Sequence, residues 1–367
     1  MSLDFNELLA SSRKTQTNGI YGEGTPCLFI GDRGISKTAQ VRGFCEPINN
    51  LLITIILVRT PSIDVGGINV PDFEKGELVT MIKRTLLGDV PGAENYDGGC
   101  VFFDEIGNSL DDQQTAIQSL IQDRELEGHK IPDHVWFVAA TNPPEANCGS
   151  NPITSSLLDR FSIIEITHED IITEIFPRWL EWADGKIHPL ITGFLRWVKS
   201  EPEGQRNFIH CSDYNSKELA RPSLRSWHKL SGLLWQGLSD GTMRRHGEGL
   251  VGRAAYIEFS GYVRLGGELA SVEDIYESPN TAHIPSGDGA LSANYAVISN
   301  ICADLQARKG ETLTTQRVDA VITYLRRLDG AFAVFGFKQA ANSHKDFANA
   351  SAEYAQFLKD NEDLVIG

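Results

Sequence analysis

Between about residue 25 and residue 168 the sequence holds five short apolar runs, each nearly unbroken in hydrophobic residues and separated from the next by polar or helical stretches. Strands with one wet face alternate apolar and polar residues. Runs without alternation belong to strands covered on both faces, as in a parallel sheet between helices. The runs are 26–30, 51–58, 99–103, 135–140 and 162–166. Between the third and fourth, Leu110, Ile117, Leu120 and Ile121 recur at helical spacing within 109–124, which predicts a helix crossing over the sheet. The fold class is therefore α/β, a parallel sheet flanked by helices.

After residue 169 the pattern changes. Helical periodicity dominates at 187–199, 223–238, 250–264, 293–309 and 317–335, while 268–288, rich in Ser, Pro, Asn and Gly, reads as a loop. A chain of 367 residues exceeds what one core usually holds. The expected organisation is an α/β core over 1–168, a smaller helical domain over 169–310 and a C-terminal helical extension over 311–367.

Composition removes several function classes. With 33 Lys+Arg against 49 Asp+Glu the formal charge is −16, which disfavours the broad phosphate contact of non-specific nucleic-acid binders. The six cysteines form no C-x-x-C pair and read as reduced thiols of a cytoplasmic protein. No apolar run is long enough to span a membrane, and no basic start followed by an apolar core marks a secretory leader. The histidines, among them His129, His134, His188 and His210, show no metal-ligand spacing, and Trp179, Trp182 and Trp197 fall at apolar helical positions where packing explains them.

The sharpest local signal follows the first run: Gly31-Asp32-Arg33-Gly34-Ile35-Ser36-Lys37-Thr38. It is the G-x-x-x-x-G-K-[ST] phosphate loop with serine in place of the second glycine. Such a loop turns backbone N–H groups and a helix N-terminus toward phosphate oxygens, the lysine reaches the outer phosphates, and the threonine hydroxyl serves Mg²⁺. Ser36 is small enough to spare the phosphates, but it disfavours any positive φ that glycine tolerates freely. A chance match in a surface turn is the alternative for this motif alone.

About 70 residues on, the third run ends in Asp104-Glu105, two carboxylates at the carboxyl end of a buried strand, where open α/β sheets bind ligands. Asp104 would orient Mg²⁺ and its waters; Glu105 would polarise the water attacking a γ-phosphate. The bland reading is a helix start capped by acids. The fourth run continues into Thr141-Asn142-Pro143-Pro144, so Asn142 is a candidate to hold that water or to sense the γ-phosphate, or simply a loop asparagine. Arg160, just before the fifth run, can neutralise charge on a transferring phosphoryl group in a neighbouring subunit, or pair locally with Asp159.

These elements, in this order, resemble an AAA+ ATPase of the MoxR branch, the dynein-related type often paired with von Willebrand factor A proteins. The likeness extends to Val58 through Asp72, to Asp104-Glu105-Ile106-Gly107-Asn108 with Gln113-Gln114 and Asp123-Arg124, to Arg221-Pro222-Ser223-Leu224-Arg225-Ser226-Trp227, and to Gly249 through Ala255. The resemblance implies a P-loop NTPase core with an all-helical lid, binding of ATP and Mg²⁺, and ATP hydrolysis at subunit interfaces of a ring, expected to be a hexamer. It implies that Arg225, with Arg221 as fallback because Leu224 replaces the usual proline, senses nucleotide from the lid. Arg124 becomes a weaker candidate for a subunit contact. Members of this branch act on client proteins with a von Willebrand factor A partner, so such partners are the expectation here. The competing readings are an ATP-dependent switch or scaffold with slow turnover, and a DNA-acting motor.

Overall fold

The computed structural model describes residues 3–17, 24–61, 64–65, 68–72, 77–81, 92–126, 129–146, 152–201, 203–214, 218–287, 290–345 and 347. Residues 346 and 348–367 of the expected C-terminal extension lie outside them, as do parts of the segment from Val58 to Asp72. The chain divides into two compact units, 1–174 and 175–367.

In the first unit, helix α1 (Phe5–Thr17) precedes β1 (Cys27–Ile30), α2 (Lys37–Cys45) and β2 (Asn50–Ile56). A hairpin of β3 (Ile68–Asp72) and β4 (Glu77–Met81) leads to β5 (Gly98–Asp104) and α3 (Asp111–Gln122). A small hairpin, β6 (Glu125–Leu126) and β7 (His129–Lys130), then joins β8 (Val135–Thr141), α4 (Ser155–Leu158) and β9 (Ser162–Glu165). The five runs pair in parallel in the order β2-β5-β8-β1-β9, as predicted, but the edge strand β9 is largely exposed rather than covered on both faces. β5 and β8 are buried along almost their whole length, and Val101, Phe103, Phe137 and Ala139 meet Ile117 and Leu120 of α3 in one core. Phe103 and Phe137 stack with centroids 5.9 Å apart, an arrangement worth about 1 kcal/mol beyond burial.

Helix α1 packs against β8 and β1. Phe5, Leu9, Ser12 and Gln16, three or four residues apart, form its buried face. The β1–β8 ladder begins with the bridge of Cys27 and Val138, which gives Phe137 O a strand donor but leaves Phe137 N–H ahead of the ladder without an acceptor. Gln16 supplies it: its Oε1 accepts from Phe137 N at 2.8 Å, and its Nε2 adds a second donor to Phe137 O at 3.0 Å. A polar side chain on an apolar face is explained by that buried backbone N–H.

The second unit is helical among its described residues: α5 (Phe176–Ala183), α6 (Pro189–Ser200), α7 (Leu224–Leu234), α8 (Asp240–Val251), α9 (Arg253–Leu269), α10 (Val272–Glu277), α11 (Ala290–Ala307), α12 (Thr315–Leu325) and α13 (Gly330–Ser343). Two expectations need correction. The helical pattern at 317–335 is two helices, because Asp329 caps α13 by accepting from Ala331 N and Gly330 opens the new helix. Within the stretch expected to be a loop, Ser271 and Asp274 form a reciprocal cap that starts α10. Gly193 of α6 permits close packing, since a Cβ there would lie 1.8 Å from Ser299 Oγ of α11. No helix among the described residues is long and apolar enough to cross a membrane.

Candidate functional site

Three adjacent strands, β5, β8 and β1, end side by side at the carboxyl edge of the sheet, and their loops carry the predicted residues. Gly31 leaves β1 with its N–H bonded to Thr141 O of β8 at 3.2 Å. No side chain fits there: a Cβ would stand 2.9 Å from both Ile166 Cβ and Ile35 Cδ1. Asp32, Gly34 and Ile35 are buried, which ties the loop to the core, while Arg33 lies exposed and donates to Ala146 O at 2.6 Å.

Gly34 (φ 81°) and Ser36 (φ 66°, ψ 32°) are both left-handed. The loop thus demands a positive φ at the position where the generic motif has glycine, and serine adopts it at a cost on the order of 1–3 kcal/mol. Loops with left-handed residues close together turn successive N–H groups to one side and form concavities for anions. Helix α2 begins immediately after Ser36, so its first N–H groups face the same region.

Lys37 Nζ lies across the loop. It donates to Gly31 O at 2.6 Å, to Asp32 O at 3.0 Å and to Asn142 Oδ1 at 3.2 Å. Thr38 Oγ1 donates to Asp104 Oδ2 at 3.1 Å. The ends of β1, β5 and β8 are thereby stitched together through the side chains the sequence singled out. Thr141 Oγ1 adds a further stitch by accepting from Gly107 N at 3.2 Å.

Glu105 follows in a left-handed conformation (φ 60°, ψ 39°), its N–H donating to Asp104 Oδ1 at 3.0 Å. Among the described residues none bonds its carboxylate, which is half-buried beside the Thr38–Asp104 pair in sequence. The reading of these acids as the cap of the following helix does not hold. The cap at α3 is made by Gln113, whose Oε1 accepts from Leu110 N at 2.9 Å.

A hydroxyl and a carboxylate in contact suit Mg²⁺, a hard cation that keeps several waters and takes the rest of its shell from phosphates. A complete protein cage would be the wrong donor set for it, and among the described residues no cluster of three His, Cys, Asp or Glu exists. The five described cysteines form no disulfide, and Cys148 lies outside the described residues.

Arg160 pairs with Gln122, not Asp159: Nε and Nη2 donate to Gln122 Oε1 at 3.1 and 2.5 Å, and Nη1 to Ser156 O at 3.1 Å. Arg225, in the second unit, is exposed in the first turn of α7, and no described residue bonds its guanidinium. Arg221 donates to Asp213 O and lies 5.1 Å from the Tyr214 ring, so it is engaged locally. Arg124, at φ 50°, donates to Pro132 O and Val135 O within its own unit, and burial pushes its pKa below the usual arginine value. Those bonds make it a brace between the start of β6 and the β7–β8 connection.

Residues 26–161 match the AAA domain of the dynein-related subfamily, and the first unit has the AAA+ P-loop NTPase fold, followed by a helical C-terminal region. No curated protein matches the chain significantly. Among solved structures, the Thermotoga maritima RuvB Holliday junction branch migration motor is 15% identical over 78% of each chain, with a TM-score of 0.37. A point mutant of Thermotoga maritima RuvB is 15% identical over 78% of this chain and 79% of that one, with a TM-score of 0.39. A full-length MCM homolog from Methanopyrus kandleri is 14% identical over 69% of this chain and 53% of its own, with a TM-score of 0.31.

Proposed function

We propose that this protein binds ATP with Mg²⁺ on the 31–38 loop and hydrolyses it at sites shared between copies in a ring, as MoxR-like AAA+ ATPases do, to remodel or mature a client protein. The observation that carries the reading is the convergence of Lys37 on Asn142 and of Thr38 on Asp104, followed in the chain by the Glu105 carboxylate, which no described residue bonds. A pure binder gains nothing from a carboxylate held ready for water.

The roles follow from chemistry. Gly31 through Ser36 would offer backbone N–H groups to the phosphates, and Lys37 would leave its carbonyl partners for phosphate oxygens of higher charge density. Mg²⁺, held through Thr38 and Asp104, would neutralise charge on those oxygens. Glu105 would take the proton of the attacking water while Asn142 fixes its position. Arg160 would act on the neighbouring copy's nucleotide, and Arg225 would sense nucleotide from the helical unit. A von Willebrand factor A protein is the proposed adaptor. The domain division proposed from sequence, 1–168, 169–310 and 311–367, goes with this reading, as does a cytoplasmic location.

Steady-state ATPase activity measured against protein concentration tests it, with Glu105→Gln and Arg160→Ala beside the wild type and particle mass followed by light scattering. Activity per chain should rise with assembly, and both variants should lose it while Glu105→Gln still binds ATP. A wild type that binds ATP but never turns it over in any assembled state is a switch or scaffold instead. Salt-sensitive DNA binding that stimulates turnover would favour the motor reading, against the −16 charge.

A further inference from the structure

Helix α3 carries glutamines at 114, 118 and 122, four residues apart and so on one face. Each grips the segment that leads to Arg160. Gln114 Oε1 accepts from Thr154 N at 2.8 Å and its Nε2 donates to Pro152 O at 3.3 Å. Gln118 Oε1 accepts from Ser156 Oγ at 3.0 Å. Gln122 Oε1 accepts two N–H groups of Arg160 itself. The three amides meet 152–160 in the same order along the helix, like rungs.

We propose that Gln122 is a positioning residue that presents Arg160 to the nucleotide of the adjacent copy, with Gln114 and Gln118 fixing the segment that carries it. The inference rests on the reading of Arg160 given under Proposed function. A guanidinium has five N–H donors. Gln122 takes two and Ser156 O one, which leaves one N–H on each Nη for an anion from outside. The holding group is a neutral amide, so Arg160 keeps its full charge. A carboxylate at 122 would hold it as firmly and neutralise it.

The geometry also joins two sites. Helix α3 begins six residues after Glu105 and ends at Gln122. Its 12 residues make a strut of about 18 Å. One end follows the carboxylate that would act on this copy's own ATP, and the other holds the arginine that would act on the next copy's. A displacement at the first end would be carried along the helix to the second.

The test is a mixing experiment on the full-length protein. Gln122→Ala and Gln122→Met, the second keeping the side-chain length without an acceptor, should lower kcat by roughly 10- to 100-fold, the range for a reacting group misplaced by about an ångström. ATP affinity and melting temperature should stay at wild-type values. Adding Gln122→Ala to Arg160→Ala should cause no further loss. In a shared-site ring a Gln122→Ala copy has a sound Glu105 but a loose arginine, and a Glu105→Gln copy has the reverse. Equal mixing should therefore restore about a quarter of wild-type activity, the fraction of head-to-tail interfaces that pair the two sound halves. Wild-type kcat in Gln122→Ala where Arg160→Ala is inactive overturns the inference, as does a mixture no more active than the mean of its components. Wild-type kcat in Arg160→Ala overturns the assignment of Arg160, and this inference with it.

Discussion

Replacing Gln16 by leucine isolates what one side chain contributes to the sheet. Gln16 is 6% exposed, and its amide oxygen is the acceptor of Phe137 N–H, in the strand that ends at Thr141 before Asn142. Leucine keeps most of the volume, so the cavity term is small and the loss is that of one buried backbone N–H left without a partner. Such a group costs about 1–3 kcal/mol, centred on about 2 kcal/mol. For a unit spanning 1–174, that lowers the midpoint of its thermal transition by about 4–8 °C. Calorimetry reads the transition, and hydrogen exchange by mass spectrometry reads the Phe137 amide, which should lose protection ahead of its β8 neighbours. A shift below about 2 °C with the amide still protected would refute the claim that Gln16 stands in for a missing strand acceptor.

Three further outcomes follow from positions described above. His188 accepts from Leu190 N at 3.3 Å as the cap of α6, and burial holds its pKa down at about 4 from 6.5. Its neutral form therefore supports folding fully above pH 6.5, and about 3 kcal/mol is lost as pH falls from 6.5 toward 4; urea titrations across that window should show the slope, and His188→Asn should flatten it. Gly193→Ala puts a methyl 1.8 Å from Ser299 Oγ and 2.7 Å from Tyr262 Oη, so the second unit should lose about 3 kcal/mol in denaturant unfolding. At Ser36, φ 66° predicts that glycine binds ATP at least as tightly as serine, whereas valine, branched at Cβ, weakens binding by roughly 5- to 100-fold in calorimetric titration.

The parallel sheet was legible because buried strands announce themselves by unbroken apolar runs, and each fell within two residues of its expected ends. Of the candidate site, what the structure joins is Lys37 with Asn142 and Thr38 with Asp104, the residues whose type the motif chemistry singles out. Helix α1 escaped notice because its buried face mixes Phe5 and Leu9 with Ser12 and Gln16, and a polar residue that pairs with backbone is indistinguishable in sequence from one facing water. The local partner of Arg160 was misjudged for a related reason. Charge suggests Asp159, but the neighbour across the α3–α4 contact is a neutral glutamine 38 residues away. The signal that would have found it, glutamine at every fourth position of α3, adds nothing to the apolar periodicity and matches no motif. The break between α12 and α13 was visible in Asp329-Gly330 but outvoted by the apolar spacing on either side.

The rungs of α3 constrain how this segment can drift. Because 114, 118 and 122 share a face only through the helical repeat, one residue inserted between them would turn everything downstream by about 100° and swing Gln122 off Arg160. Substitutions elsewhere on the helix leave that register untouched. The helix is thus tolerant in composition and intolerant in length, and among related chains the gap between the acidic strand end and the arginine-bearing turn should vary in letters far more than in count.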